Sequence, residues 1–520
     1  MQENAHTSEG RRHFLRSGIP IAVAAASGLL AELPACADAA TLHPVGTAET
    51  IAALRKLPIP DSPVIVQVAG YHTPGDGGGG GFVWDAHFAP AATELTDDGG
   101  TYLLPQESAP ERPGRWRRLF SGALNVKWFG ALGDDTGKTP GAAGADIAQV
   151  HWNNHWPQSI LTQQPLKTAK FANDDSWDYI GIQMALLSAS RGAGANGEVY
   201  IPGGIYRLTQ HLLYAADNRT TLTGAGMYQT TLTKTPDRFT HSFLLRLFDT
   251  GGQPTTIRDI CFRGPIDAQQ QYHHAEVGFT LIAQNHTNGV HFLNCWFTSC
   301  HTAFDCSLST DCYMIHCTAE YCGTVIKMDA GTDLHVSNCN FWQSAPATEQ
   351  YTGIISAGML HCADSRFFGF EAIAIQCTGG MLHAVGNAFY QFSHAVCVID
   401  AAAAGQSVIS GNRIVGATVS PMIRVGQDNL VTGNFIEQRG EHACIDLTNG
   451  KTNINISGNV LCCTPADKKI VEGGLIISVL PNVNFVSGCS QCLITGNTLN
   501  QPNSIAVEAR RNMIVNNLMA

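Results

Sequence analysis

The chain has 520 residues and a formal net charge of −11, yet Lys, Arg, Asp and Glu make up only 14% of it, against about 25% in ordinary soluble proteins. So little charge excludes a coiled coil or a charged helical bundle. Glycines without a three-residue period exclude collagen, and an apolar share of 44% argues against disorder. The acidic balance argues against general nucleic-acid binding, which needs a basic face. What remains is a mostly-β protein whose side chains point inward or carry no charge.

Residues 1–40 read as an address. Arg11-Arg12-His13-Phe14-Leu15-Arg16 precedes an uncharged, Ala-rich run from Ser17 to Ala31. This is a charged n-region followed by an h-region too short for a comfortable membrane span. The Arg-Arg-x-Phe-Leu pattern resembles the twin-arginine export signal, which implies a periplasmic or secreted protein. Ala35-Cys36-Ala37 fits small-residue cleavage, while Leu33-Pro34-Ala35-Cys36 resembles a lipobox, so a lipid anchor on Cys36 is the alternative. No other stretch is suited to span a bilayer, and residues 41–62 read as a linker.

Residues 63–122 form a small β entry domain. Val64 to Val68, Gly81 to Asp85, Thr101 to Pro105 and Gly114 to Phe120 read as strands, separated by Gly-rich turns. Five glycines, Gly77 to Gly81, are a hairpin turn and not a phosphate loop, because neither Gly-Lys-Ser/Thr nor a helix follows. Asn173 to Ile180 then leads into a short amphipathic helix through Leu187, with Asp near its N-terminus where the helix dipole favours it. Glu198 to Tyr206 and Leu222 to Gly226 follow. This order, over roughly residues 63–265, resembles the pectate-lyase superfamily of β-helix enzymes and phage tailspikes. The Gly-rich unit with its Gly-Arg-Trp ending resembles the start of tailspike depolymerases. The sequence departs from that pattern at an insertion, residues 137–172, containing His151, Trp152, His155 and Trp156.

From about residue 285 the chain repeats. Val290 to Cys295, Leu334 to Cys339, Leu382 to Asn387, Val408 to Asn412, Leu430 to Asn434 and Ile456 to Asn459 share one pattern. Their turn positions align at Cys295, Thr318, Cys339, Ser365, Asn387, Asn412, Asn434, Asn459 and Asn497. Steps of mostly 21–26 residues holding short apolar strands and no helix predict coils of a parallel β-helix. Leucine-rich repeats would show Leu-x-x-Leu-x-Leu, which is absent. The expected fold is all-β: a right-handed parallel β-helix of about 10–13 coils over residues 123–520, behind the entry domain and a capping helix. Asn at the corner suits left-handed φ, and its side chain can bond the next coil.

Of 17 cysteines, Cys295, Cys317 and Cys339 recur at one step, as do Cys300 and Cys322. Stacked buried thiols are the expected role, with one or two disulfides open in an exported protein. Cys489-x-x-Cys492 has no second ligand pair, so no zinc site is expected.

Strand side chains alternate in and out. Phe292, Ile315, Val336, Cys362 and Ala384 are assigned inward, which sends His291, Met314, His335, His361 and His383 outward, with His316 beside them. A second outward column reads Asp305, Lys327, Gln376, Arg424 and Asp446, with Asp329 beyond Lys327. The histidine column is read as solvent-facing stacking or a sugar-contact surface, ahead of a metal site, because neighbours in a ladder sit too regularly for a closed tetrahedral shell. The second column is read as a solvated face or a substrate groove. Carboxylates cluster at Asp305, Asp311, Glu320, Asp329 and Asp333, and glycosidic cleavage usually needs two. The stretch Asp311 to Gly323 resembles the active-site segment of inulin fructotransferases, which are trimeric β-helix enzymes. That resemblance implies an acid role for Glu320, a base or stabilising role for Asp311, and a homotrimer. Asp305 and Asp329 complete the catalytic candidates. Lys327, His291, His316, His335, His361, Arg366, Trp296 and Trp342 are the substrate-contact candidates. The expected partner is a poly- or oligosaccharide, cleaved without a cofactor. A uronate lyase is the alternative, with Lys327, Arg366, Arg424 or a histidine serving and calcium as a candidate cofactor. A non-catalytic glycan-binding or spike-like rod is a further alternative.

Overall fold

The computed structural model describes residues 43–519 apart from 90–96, 110–111, 141–170, 190–196, 216–219, 236–242, 249–254, 265–279, 344–350, 464–482, 486–491, 500–504, 507–512 and a few shorter turns. The expected export signal, Cys36 and the four aromatic residues of the insertion lie outside the described residues. Among the described residues, no helix is long and apolar enough to cross a membrane.

The entry domain begins earlier than the sequence suggests. β1 (His43–Thr50) pairs in parallel with β2 (Val64–Gly70), and the turn of helix Ile51–Arg55 follows it. Residues 43–55, expected to be linker, thus belong to the sheet, because Ile51 and Leu54 are buried in its core with Val66, Phe82, Trp84 and Trp116. β3 (Gly80–Asp85), β4 (Tyr102–Leu103) and β5 (Arg115–Arg118) complete the order β1-β2-β3-β5-β4. The five-glycine turn is an arginine cradle. Arg118 donates from Nη1 and Nη2 to the carbonyls of Gly79 and Gly78, at 2.6 and 2.9 Å. Burial lowers the Arg118 pKa to about 10. Carbonyls facing a cation are the opposite of the N–H nest an anion requires.

The rest of the described chain is an all-β parallel solenoid of about 13 turns. Each coil contributes one strand to a sheet of fourteen described strands and a bent strand, or two short ones, to a larger second sheet. The bend makes two faces of that second sheet, so a coil has three sides. In the coil around Glu320 these are Cys312–Ile315, then Thr318–Met328 bent at Tyr321, whose φ is 53°. Phe292, Met314, Val336, Cys362, Ala384 and Ile409 stack inward at the same register on successive coils and are buried. The helix Trp177–Ala189 is buried on nearly every side, not amphipathic. It covers the open end of the first coils on one side, and on the other it meets the entry domain through Trp177 against Tyr71 and Ser188 against Asp98. Asp178 in its first turn accepts from the backbone N–H groups of Leu132, Gly133 and Arg207, tying it to the first coil.

The corner between the two sheets uses two adjacent residues where the sequence suggested one. The first residue takes the left-handed φ: Asn294, His316, Asn338 and Asp364 at 50–53°, then Gly386, Gly411, Gly433, Gly458 and Gly496 at 64–69°. The second points inward and forms a polar ladder. Its members are Cys295, Cys317, Cys339, Ser365, Asn387, Asn412, Asn434, Asn459, Asn497 and Asn517. Cys317, not Thr318, therefore holds the corner of its coil. Each ladder Asn accepts the backbone N–H of the coil before it on its Oδ1, as Asn434 does from Asn412 at 2.9 Å.

No disulfide joins any two of the fourteen described cysteines, and all of them but Cys462 are buried. Cys300 and Cys322 stand Sγ to Sγ at 3.4 Å across adjacent coils. Burial pushes the thiols of Cys300, Cys317, Cys339 and Cys362 well above the ordinary range.

Replacing Asn434 with Ala removes four hydrogen bonds of a fully enclosed side chain, those to Asn412 N, Asn412 Nδ2, Asn459 Oδ1 and Ile409 O. Stranded donors typically cost about 1–3 kcal/mol each, partly relieved by relaxation. The expected loss is roughly 3 kcal/mol by chemical denaturation, with the far-ultraviolet spectrum of the folded state unchanged.

Candidate functional site

The three faces separate the candidate residues. On the narrower sheet the outward column is His291, Tyr313, His335, His361 and His383. Met314, expected here, is buried inside, and Ile315 points out. That coil is in register one residue earlier than its sequence suggests, and a one-residue shift exchanges every inward and outward side chain. The rings stack along the axis at 4.5–4.7 Å, nearly parallel for Tyr313–His335 and His335–His361. The two end contacts, His291–Tyr313 and His361–His383, are instead edge to face. His316 is not part of this column. It is exposed at the corner, in the position where other coils place Asn, Asp or Gly.

The far face of the second sheet carries Asp305, Lys327, Ile355, Gln376, Asp400, Arg424 and Asp446. Lys327 and Asp329 form an exposed ion pair at 2.8 Å, and the hydrogen bond to Asp329 raises the Lys327 pKa. Arg424 pairs with Asp400 at 3.3 Å. The lysine and the arginine here are thus paired, and the exposed Lys327–Asp329 pair contributes little.

The near face of the second sheet gathers the remaining candidates. Its two outward columns are Trp296, Thr318, Asn340, Arg366 and Ala388, and, two residues further along each strand, Thr298, Glu320, Trp342, Phe368 and Tyr390. Neighbouring coils are about 4.8 Å apart and same-face neighbours on one strand about 7 Å. Glu320, Trp296, Trp342 and Arg366 therefore form one patch. Trp342 is 41% exposed, and Tyr228, 71% exposed, packs on Trp296 at 5.4 Å. Glu320 is half-buried, and desolvation raises its carboxyl pKa against a hydrogen bond from Tyr321. A half-buried carboxyl whose pKa is raised, set beside exposed rings, is better suited to donate a proton than a fully solvated one.

Asp311 is not on this face. It is exposed at the entry to Cys312–Ile315, with φ of 51°. That strand, about 13 Å long, and the corner at His316 separate it from Glu320. Paired glycosidase carboxyls stand about 5–9.5 Å apart, so within one chain Asp311 and Glu320 do not flank one bond. Asp311 instead lies near His291, whose pKa its charge raises against the larger lowering by burial. Among the described residues no group of three His, Cys, Asp or Glu side chains converges on a metal position. The residues the sequence left unnamed are Tyr228, Phe368, Tyr390 and Tyr313. The steps of 26 and 22 residues from Trp342 to Phe368 to Tyr390 match the corner steps from Cys339 to Ser365 to Asn387, and that was the available signal.

Residues 47–121 match the phage tail protein small four-stranded β-sheet domain family. No curated protein matches the chain. Among solved structures, the chain is similar to the enzymatically active domain of bacteriophage CBA120 tailspike protein 2, with 14% identity and a TM-score of 0.47 over 87% of this chain and 57% of that one. It is also similar to DFA-IIIase from Arthrobacter chlorophenolicus in complex with DFA-III, with 12% identity and a TM-score of 0.44 over 65% of this chain and 94% of that one. The A-module of a mannuronan C-5 epimerase from Azotobacter vinelandii gives 15%, 0.41, 76% and 99%. The chain thus spans little more than half of the tailspike domain. By its own topology it is a parallel β-helix protein with a small N-terminal sheet domain.

His291 offers a pH test of the stacked column. Burial lowers its pKa from 6.5, so the unfolded chain takes up the proton first as pH falls. The stability this confers is present above about pH 6.5 and is lost as pH drops toward the folded value. His291→Gln should flatten the fall in denaturation midpoint between about pH 7 and pH 5 relative to the parent.

Proposed function

We propose that this chain acts on the glycosidic bonds of a polysaccharide laid along the face of Glu320, Trp296, Trp342 and Arg366. The observation that carries the proposal is the half-buried Glu320 carboxyl, with its raised pKa, one coil from the exposed ring of Trp342. Aromatic rings offer apolar area of the size of a sugar face at little conformational cost. In this reading Trp296 and Trp342 bracket the sugars on the coils either side of Glu320, and Arg366 binds their hydroxyl or carboxyl groups. Glu320, as the protonated acid, donates its proton to the leaving oxygen, which lowers the barrier to C–O cleavage. The attacking water or sugar hydroxyl is activated by a group other than Asp311 of the same chain. Hydrolysis or transfer is preferred to elimination, because a carboxyl with raised pKa suits an acid better than the strong base that a lyase needs. The protein acts after twin-arginine export, as a homotrimer.

Incubation with a panel of polysaccharides should release oligosaccharides with new reducing ends or rearranged linkages. Glu320→Gln should lower kcat by roughly 10²–10⁴-fold and abolish the alkaline limb of the pH profile. Trp342→Ala should raise KM more than it lowers kcat. Products absorbing in the ultraviolet as unsaturated uronates would replace this assignment with elimination. Glycan binding without turnover, unchanged in Glu320→Gln, would indicate a binding rod.

A further inference from the structure

Gly358-Met359-Leu360-His361 is followed 22 residues later by Gly380-Met381-Leu382-His383. The repeat is in register: Leu360 lies beside Leu382 and His361 beside His383 on adjacent strands. Both leucines are buried, and Met359, His361, Met381 and His383 all point out of the narrower sheet, each partly exposed. Two thioethers and two imidazoles therefore stand at the corners of a patch about 4.8 Å by 7 Å. The side chains of Met359 and His361 already meet, His361 Nε2–H donating to Met359 Sδ at 2.9 Å. The imidazoles of His361 and His383 meet at 4.7 Å with their planes at 89°, so their ring nitrogens are not locked parallel as those of His335 and His361 are.

Packing alone does not call for this composition. The corresponding places on the coil before are Asp333 and His335, and the second of them on the coil after is Val408. Thioether and imidazole together are the donor set of a soft, electron-rich cation, whereas hard divalent ions prefer carboxylates and carbonyls.

We propose that Met359, His361, Met381 and His383 form a surface site for a soft monovalent cation, copper(I), for which silver(I) is the redox-inert probe. The site lies on a different face from Glu320 and is independent of the glycan assignment.

The test is an anaerobic titration of the full chain with silver(I) against a competing chelator, followed by X-ray absorption of the copper(I) form. One equivalent should bind, with mixed nitrogen and sulfur scatterers and broadened or shifted imidazole resonances for His361 and His383. The Met359→Leu/Met381→Leu variant keeps the volume and apolar character of both side chains, so its metal-free melting temperature should match the parent within experimental scatter. Its silver(I) affinity should fall at least tenfold, and His361→Gln should do the same. Absence of bound silver in the parent would overturn the proposal and leave the quartet as packing. Retention of full affinity in the double variant would also overturn it and place the metal on the cysteine thiols. Should the double variant fail to fold, Met359→Leu and Met381→Leu singly carry the same readout.

Discussion

Everything in the coil stack depends on holding each coil in register with the next. The backbone ladders supply most of the bonds, but a ladder by itself tolerates slippage. The corner side chains do not. Each Oδ1 from Asn412 onward accepts both the backbone N–H and the side-chain Nδ2 of the preceding coil, and from Asn387 onward each Nδ2 also donates to a main-chain carbonyl further back. A shift by one residue would leave all of these groups unsatisfied inside the rod, at a cost that outweighs any local gain. Where the ladder is made of Cys and Ser, in the coils from Cys295 to Ser365, the bonds are fewer and the corner residue itself is Asn, His or Asp in place of Gly.

This register decides the surface chemistry. Identical displacement from coil to coil turns single residues into columns, so each face acquires its own character. One face stacks imidazole and phenol rings, one mixes acids and bases with Ile355 and Gln376, and one sets a half-buried carboxyl among exposed aromatics. Glu320 gains its shifted pKa from this placement, since the coils before and after it put Thr298 and Trp342, not charge, against it. The ends of the rod are handled separately. The helix Trp177–Ala189 covers one, and the entry sheet lies beyond it, with Ser188 of that helix donating to Asp98 at 3.3 Å.

The repeat, the coil length, the corner positions and the inward Val, Ile, Leu and Cys were legible in the sequence, because a period of 22–25 residues with alternating burial has few structural solutions. So was the nature of the five-glycine turn. The candidate site was half legible. Glu320, Trp296, Trp342 and Arg366 were singled out, and the coordinates bring them to one face. Asp311 was singled out with Glu320 because nine residues of sequence is a short separation, but an intervening corner turns the two side chains to different sides. Met314 and Thr318 were misplaced for a related reason. Apolar runs such as Tyr313-Met314-Ile315 do not say which member faces in, and only the neighbouring coils settle it.

By itself the sequence determined the class of fold, because low charge, recurrent corner residues and short apolar strands leave only stacked coils to bury the apolar surface. It also determined the rise from coil to coil, since backbone hydrogen bonding sets that spacing in any sheet. The tertiary structure decided which residues share a face. Membership of a face depends on the number of residues between corners, which varies from coil to coil, and on bends such as those at His316 and Tyr321, whose effect on direction is not encoded in any local pattern.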